Sequence, residues 1–218
     1  MGRVLPIAVF LSGPGTTFDA VAEAIAGGHL PARIALVLAD RPHAGGVELA
    51  RHRGLPTAVR PIHGVSVETW AKEVDGLLLD RGVELVVLAG FLAVVPTPLL
   101  ARWRGRIINV HPALLPRHGG RGMYGIRVHA AVLAAGDTVS GATVHLVTEA
   151  LDGGPVLLRE ELPVAPGETA EGLQAKVRPL ERRLLMEAIR RFAEGDWPLP
   201  YPVPDATASP AGPADPPH

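Results

Sequence analysis

A pair of polar side chains stands at the end of one of the apolar runs of this sequence. Asn109 and His111 close the run 106–110 and are followed by Pro112. On a strand, residues two apart point to the same face, so the amide and the imidazole can act on one group. An amide N–H and a cationic imidazole both suit an oxyanion that develops on a carbonyl. The alternative is that Asn109 satisfies nearby backbone groups and His111 is a partly buried spacer.

A second candidate is the glycine-rich turn at residues 12–17, which reads Ser-Gly-Pro-Gly-Thr-Thr. A turn of this kind before a helix presents free backbone N–H groups and the positive end of the helix dipole, which suits a phosphate. The third glycine of the dinucleotide-binding fingerprint and the lysine of a Walker A loop are both missing. The alternative is a tight turn in which Thr16 or Thr17 caps the helix.

Two further loops carry candidate chemistry. Asp152 lies in a glycine-rich loop before a predicted strand, where it can approach a ligand or form an ordinary Asp-Gly turn. The long glycine-rich segment 113–125 follows the Asn-His pair directly, which favours a functional lid. The nine histidines show no HxxH or HExxH spacing and no cysteine is present, so no metal site is expected.

Near-continuous apolar runs alternate with segments of helical periodicity through the first half of the chain. Such runs are typical of strands buried on both faces, and the alternation indicates parallel β-α-β units. The predicted fold is therefore α/β, a mostly parallel Rossmann-like sheet with flanking helices. The strands are expected at 6–11, 33–38, 83–89 and 106–110, and the helices at 16–26, 46–53 and 67–80.

The second half has a different pattern. Two β-rich segments, 142–147 and 156–163, predict an antiparallel extension of the sheet after a helix at 128–135. A long helix is expected at 169–192, and Pro179 should kink or divide it because proline cannot donate a backbone N–H. The apolar residues that this helix should turn inward are Leu173, Val177, Leu180, Leu184 and Ile189.

Composition bounds the class of protein. The 218 residues are 47% hydrophobic with a formal net charge of −1, which predicts a sizeable core and gives no electrostatic case for nucleic acid or a membrane surface. The absence of cysteine excludes disulfides and thiol catalysis. The first apolar run is too short to span a bilayer, so a cytoplasmic protein is expected. We expect one catalytic domain at 1–195 and a Pro- and Ala-rich tail at 196–218 that follows the surface or is disordered.

Four stretches, taken together, resemble the folate-dependent formyltransferase family over roughly residues 4–194. The combination of Asn-x-His-Pro-x-Leu-Leu-Pro with a downstream Leu-Asp-x-Gly is specific, whereas each part alone is moderately so. The resemblance implies that 10-formyltetrahydrofolate donates a formyl group to an amine, and the expected acceptor is the 5'-phosphoribosylglycinamide of purine biosynthesis. The matching stretches are 86–91, 108–116, 141–147 and 151–155.

The resemblance also implies roles for individual residues. Asn109, His111 and Asp152 fall on the family's catalytic trio, in which the first two stabilise a tetrahedral intermediate and the carboxylate supports proton transfer. The acceptor's phosphate would lie against Gly15, Thr16 and Thr17, and Glu181 would contact the acceptor. The folate would contact Asn109 and two segments, formed by Leu92, Ala93, Val94 and Val95 and by Thr148, Glu149, Ala150, Leu151 and Asp152.

The sequence departs from the family pattern at several positions. Thr16 and Thr17 replace the usual Ser-Asn, Ala93 stands where an arginine is common, and another folate-side arginine is replaced near Val67. The loop 119–125 is longer than in the commonest bacterial form. These departures affect details of binding and leave the expected reaction class unchanged.

Three alternatives remain open. A formyltetrahydrofolate deformylase would carry a second histidine at Pro112 and a regulatory domain before the catalytic one, whereas Met1 here leads straight into the first strand. A methionyl-tRNA formyltransferase would carry a further tRNA-binding domain. A non-catalytic phosphate- or nucleotide-binding module would leave the trio unexplained. The expected partners are two small molecules, without nucleic acid, membrane or metal, and the chain is expected to be a monomer or homodimer.

Overall fold

The computed structural model describes residues 3–203 and shows seven strands and six helices in that range. Apolar runs form the strands of the first half, and amphipathic segments form the helices between them. The elements in chain order are β1 (Leu5–Leu11), α1 (Thr16–Ala26), β2 (Ala32–Ala39), α2 (Gly45–His52), β3 (Thr57–Val59), α3 (Val67–Leu79), β4 (Leu85–Leu88), α4 (Thr97–Arg102), β5 (Ile107–His111), α5 (Ile126–Ala134), β6 (Val139–Leu146), β7 (Val156–Pro163) and α6 (Ala170–Glu194).

All seven strands belong to one sheet in the order β3-β2-β1-β4-β5-β6-β7. Strands β1 to β5 pair in parallel, whereas β6 runs antiparallel to both β5 and β7. This topology confirms the predicted fold, a mostly parallel sheet with an antiparallel extension in the C-terminal half.

The central strand β1 separates two apolar cores because successive side chains point to opposite faces of a sheet. Leu5, Ile7, Val9 and Leu11 pack on the face covered by α1, α2 and α6. Phe10 packs on the other face, against Trp70 of α3 and its neighbours. Both faces are therefore covered, as the unbroken apolarity of the run predicts.

Two short elements escaped prediction, and one predicted break does not occur. Strand β3 has three residues and α4 has six, which is too short for a periodic pattern to be visible. Helix α6 continues through Pro179 as one 25-residue helix, so Pro179 does not divide it, and the kink named as the other outcome stays a prediction. All five of its predicted inward residues are buried, and this packing holds the helix together where proline removes a hydrogen bond.

The segment after α6 packs back on the domain. Trp197 and Tyr201 contact Phe192 edge to face, and the Tyr201 N–H donates to the Gly105 carbonyl at 2.8 Å. The first part of the predicted tail therefore follows the surface, and its remainder at 204–218 lies outside the described residues.

The chain order creates a switch point beside β1. The chain proceeds from β1 to β2 on one side and later returns to place β4 on the other side. In open α/β sheets, ligands bind beyond the carboxyl ends of the strands at such a point. The two loops are tied together there, since the Ser12 N–H donates to the Gly90 carbonyl at 3.0 Å and the Leu92 N–H donates to Ser12 Oγ at 2.8 Å.

Candidate active site

A cavity of about 570 Å³ opens at this switch point. It brings together most of the residues singled out from the sequence, and Asp152 joins Asn109 and His111 in its wall although 41 positions separate it from His111 in the chain. Two of the predicted binding residues, Gly15 and Ala150, are not among the lining residues. The predicted residues that line the cavity are Thr16, Thr17, Leu92, Ala93, Val94, Val95, Asn109, His111, Thr148, Glu149, Leu151, Asp152 and Glu181.

Asn109 is oriented by a histidine that lies directly opposite on the neighbouring strand. Asn109 on β5 pairs in register with His145 on β6, and Asn109 Nδ2 lies 3.1 Å from His145 Nε2. His145 Nδ1 lies 2.9 Å from the Leu146 carbonyl, which can only accept, so Nδ1 carries the proton. Burial lowers the pKa of His145, which keeps the ring neutral and leaves Nε2 to accept one amide hydrogen. The second amide hydrogen of Asn109 remains for a ligand.

His111 ends β5 and is 4% exposed. Its Nε2 lies 2.8 Å from the backbone carbonyl of His118, so Nε2 carries a proton and donates it there. The other ring nitrogen, Nδ1, lies 3.7 Å from Asp152 Oδ2. That distance exceeds a hydrogen bond but is close enough for the carboxylate to stabilise a cationic ring.

Asp152 holds its carboxylate between two imidazoles. Its Oδ2 accepts the Gly120 N–H at 2.8 Å, and its Oδ1 lies 3.6 Å from His145 Nε2. Its φ of 53° places a non-glycine residue in the left-handed region, which is uncommon and concentrates at functional sites. The loop carrying Gly120 and the loop carrying Asp152 are therefore fixed against each other beside His111.

The turn before α1 leaves its helix N-terminus open to the cavity. Thr16 and Thr17 line it, and no side chain caps the helix. Gly15 is not among the lining residues; its φ is 80°, and a Cβ there would lie 2.6 Å from the Gly46 Cα. Gly15 therefore shapes the turn and allows α2 to approach α1, and its contact with a phosphate stays a prediction.

A second lining surface is apolar. Leu92 and Val94 after β4, and Leu151 in the loop after β6, are exposed large hydrophobic side chains that line the cavity. Clustered apolar side chains in a cavity suit a flat, partly apolar ligand.

Helices α5 and α6 supply titratable groups to the wall. Burial raises the pKa of Glu181 to about 7, and the nearby Arg178 and Arg182 oppose that rise. Burial, aided by Arg178 and His111, lowers the pKa of His129 to about 4. The His129 ring is 1% exposed, and within residues 3–203 its Nδ1 has no hydrogen-bond partner. This wall therefore carries one buried nitrogen, His129 Nδ1, that the described residues do not satisfy.

Several lining residues were not predicted from the sequence, among them His145, His129 and Arg178. His145 lies in the stretch 141–147 that resembles the family, but no local motif marks it as a site residue. Its contact with Asn109 depends on the pairing of β6 with β5. His129 lies in an apolar helical segment, where a lone histidine is more often a core residue. Arg178 offered a usable signal, because it stands three residues before Glu181 and therefore shares its helix face.

Within residues 3–203, no helix is long and apolar enough to cross a membrane. No group of three or more histidine, aspartate or glutamate side chains there is arranged to hold a metal ion.

Comparison with known proteins identifies the class. The formyl transferase family model matches residues 5–189, and the chain belongs to that family. It is 37% identical over 194 residues to the chloroplastic phosphoribosylglycinamide formyltransferase of Arabidopsis thaliana, covering 86% of this chain and 65% of that protein. It is 33% identical over 190 residues to the phosphoribosylglycinamide formyltransferase of Haemophilus influenzae, covering 87% of each. The chain thus spans a little under two thirds of the plant relative.

A solved structure agrees with these relatives. The crystal structure of glycinamide ribonucleotide transformylase 1 from Symbiobacterium toebii superposes with a TM-score of 0.82 at 36% identity, covering 89% of this chain and 90% of that one.

Proposed function

We propose that this protein transfers the formyl group of 10-formyltetrahydrofolate to the amine of 5'-phosphoribosylglycinamide. The observation that carries the proposal is one cavity that combines an oriented amide donor, a histidine beside a carboxylate, an apolar surface and an open helix N-terminus. The names of the plant and bacterial relatives support the same reaction. Purine biosynthesis is the pathway this activity serves, and the two partners are small molecules.

The reaction begins when the acceptor amine attacks the formyl carbon of the donor. A C–N bond forms, the carbonyl π electrons move to oxygen, and a tetrahedral oxyanion results. The free amide hydrogen of Asn109 and the protonated His111 stabilise that oxyanion. Collapse breaks the bond between the formyl carbon and the donor nitrogen. The amine loses a proton and the donor nitrogen gains one, and Asp152 supports this exchange through an ordered water.

The binding roles divide between the remaining surfaces. The apolar surface of Leu92, Val94 and Leu151 and the adjacent backbone hold the folate. The free N–H groups at Thr16 and Thr17 bind the acceptor's phosphate, and the guanidinium of Arg178 adds a cation on the facing helix. Glu181 contacts the acceptor.

Donor consumption, measured with and without the acceptor amine, tests the proposal. Loss of 10-formyltetrahydrofolate only when phosphoribosylglycinamide is present, with equal formation of formylated product, supports formyl transfer. Donor loss without the acceptor would identify a deformylase instead. No donor loss under either condition would identify a non-catalytic binding module.

A further inference from the structure

The tautomer of His111 is set by a backbone carbonyl that belongs to the loop after β5. The His118 carbonyl accepts from His111 Nε2 at 2.8 Å. Because a carbonyl has no proton to give, the Nε2 proton is fixed, and any proton that His111 gains or loses is carried by Nδ1. Nδ1 is also the atom that faces Asp152. The position of this one carbonyl therefore decides which nitrogen of His111 is available for chemistry.

The backbone at His118 has an unusual conformation that needs support. Its φ is 55°, in the left-handed region that non-glycine residues seldom adopt. A glycine would adopt this conformation without strain, but the glycine of this turn stands at the next position, 119. Such conformations persist where the surroundings over-determine them. The support must therefore come from contacts made by residue 118 itself or its neighbours.

An ion-paired carboxylate supplies that support from another part of the chain. Asp137, in the turn between α5 and β6, accepts from His118 Nε2 at 2.6 Å through Oδ2 and from Arg117 Nη2 at 2.5 Å through Oδ1. The His118 side chain is 13% exposed, as is that of Asp137. The hydrogen bond from His118 lowers the pKa of Asp137, so the carboxylate stays ionised and can only accept. The His118 ring must then donate, which fixes the residue at both its side chain and its carbonyl.

We propose that Asp137 and His118 are positioning residues for His111. The Asp137 carboxylate anchors the His118 ring, the anchored residue presents its carbonyl to His111 Nε2, and this leaves Nδ1 as the working nitrogen beside Asp152. Neither Asp137 nor the His118 ring lines the cavity around the catalytic trio, so neither is expected to touch the donor or the acceptor.

The kinetic test is a double-mutant cycle on His118→Ala and Asp137→Ala with both substrates varied. This test rests on the proposed function, because the assay measures formyl transfer. We expect each single variant to lower kcat about tenfold while both KM values stay within about twofold, because a disturbed His111 weakens only the transition state. The double variant should be no slower than the single ones, since both substitutions break one link. Additive losses, an unchanged kcat, or a higher KM with unchanged kcat would overturn the proposal.

Two matched variants separate positioning from loss of structure. His118→Gln places a side-chain amide nitrogen close to the position of the imidazole Nε2, so it can donate to Asp137 and should recover most of the lost kcat. Arg117→Ala removes the other partner of Asp137 without touching the His118 carbonyl, and its kcat should stay within about twofold of the unsubstituted protein. A tenfold loss in Arg117→Ala equal to that in Asp137→Ala would indicate a general structural role and contradict the proposal.

Nitrogen-15 NMR of labelled histidine tests the same link independently of turnover. The His111 signals are assigned by comparison with His111→Gln. In the neutral ring we expect the proton on Nε2, and we expect a mixture of tautomers in His118→Ala and Asp137→Ala. A proton on Nδ1 in the unsubstituted protein, or the same tautomer in every variant, would overturn the positioning role even if a variant proved too unstable for kinetics. This measurement needs no substrate. If the protein proved not to transfer a formyl group, the NMR result would still decide whether His118 and Asp137 set the His111 tautomer.

Discussion

The two walls of the cavity differ in how completely the folded chain satisfies its own polar groups. On the strand wall, His145 holds Asn109, the His118 carbonyl holds His111, and the Gly120 N–H holds Asp152. On the helix wall, the buried His129 Nδ1 has no partner within residues 3–203, and burial raises the pKa of Glu181 to about 7. Folding fixes the orientation of the catalytic side chains on the strand wall, whereas the helix wall carries a buried nitrogen that a bound molecule can satisfy.

This difference assigns the walls to different steps. Catalysis depends on donors that are fixed before charge develops, so the strand wall suits the transition state. A buried polar atom without a partner, beside a cation, favours a polar ligand, so the helix wall suits the acceptor. Substitutions on the strand wall should therefore lower kcat, and substitutions on the helix wall should raise the acceptor KM.

The largest effect is expected for Asn109→Ala. The substitution removes the donor that faces the oxyanion, and kcat should fall on the order of 10²- to 10³-fold with the fold intact. Steady-state kinetics with both substrates saturating, together with a thermal unfolding curve, measure this. A variant with near-normal kcat would remove Asn109 from the mechanism.

A smaller loss of kcat is expected for His145→Leu. The leucine cannot accept the amide hydrogen, so Asn109 loses its fixed orientation, and kcat should fall by about 10- to 100-fold as for other residues that orient a functional group. The acceptor KM should stay within about twofold. If the acceptor KM rose instead, His145 would belong functionally to the binding surface.

Arg178→Ala should show the opposite pattern. Loss of the cation beside Glu181 should raise the acceptor KM about tenfold, which corresponds to roughly 1.4 kcal/mol, with little change in kcat. Arg183→Ala is the matched control, because Arg183 pairs with Glu160 and does not line the cavity. Equal effects of the two variants would contradict a specific role for Arg178.

Glu181→Gln should change the pH dependence of stability. The Glu181 pKa is raised from 4.5 to about 7, so the folded state binds the proton more tightly than the unfolded chain does. Stability from this group is complete below pH 4.5 and falls as the pH rises to about 7. The glutamine side chain of the variant does not ionise, so the variant does not lose this stability as the pH rises. The free energy of unfolding of Glu181→Gln minus that of the unsubstituted protein should therefore increase by about 1–3 kcal/mol between pH 5 and pH 8.

Urea unfolding of both proteins at the two pH values provides that comparison. His129 has a pKa shift of the opposite sign, but it is present in both proteins and cancels in the difference. A difference in stability that is the same at both pH values would show that Glu181 is not protonated in the folded state at pH 5 to 7.

The smallest effect is expected for Thr17→Asn. If the acceptor's phosphate is held mainly by backbone N–H groups at the start of α1, as proposed, the side chain matters less than the turn. The acceptor KM should change by less than tenfold, or roughly 1.4 kcal/mol. A larger change would show that the Thr17 hydroxyl is a principal contact.

The sequence predicted the parallel half of the sheet well because strands buried on both faces are visible as continuous apolar runs. It placed Asn109, His111 and Asp152 through motifs, and the cavity brings these three together. It missed β3 and α4, which are too short to show a period.

Contacts between distant segments could not be read from the sequence. The partners of Asn109 and His111 are set by strand register and by a loop conformation, respectively. The packing of Gly15 against Gly46 likewise depends on how two helices meet, which no local pattern encodes.

Calorimetric titration of the acceptor into Asn109→Ala and Arg178→Ala tests the division between the walls most directly, because it measures binding without turnover. We expect Asn109→Ala to bind phosphoribosylglycinamide with a Kd within about twofold of the unsubstituted protein. We expect Arg178→Ala to bind it about tenfold more weakly. Weakened binding in Asn109→Ala together with unchanged binding in Arg178→Ala would show that the two walls do not divide catalysis and acceptor binding in this way.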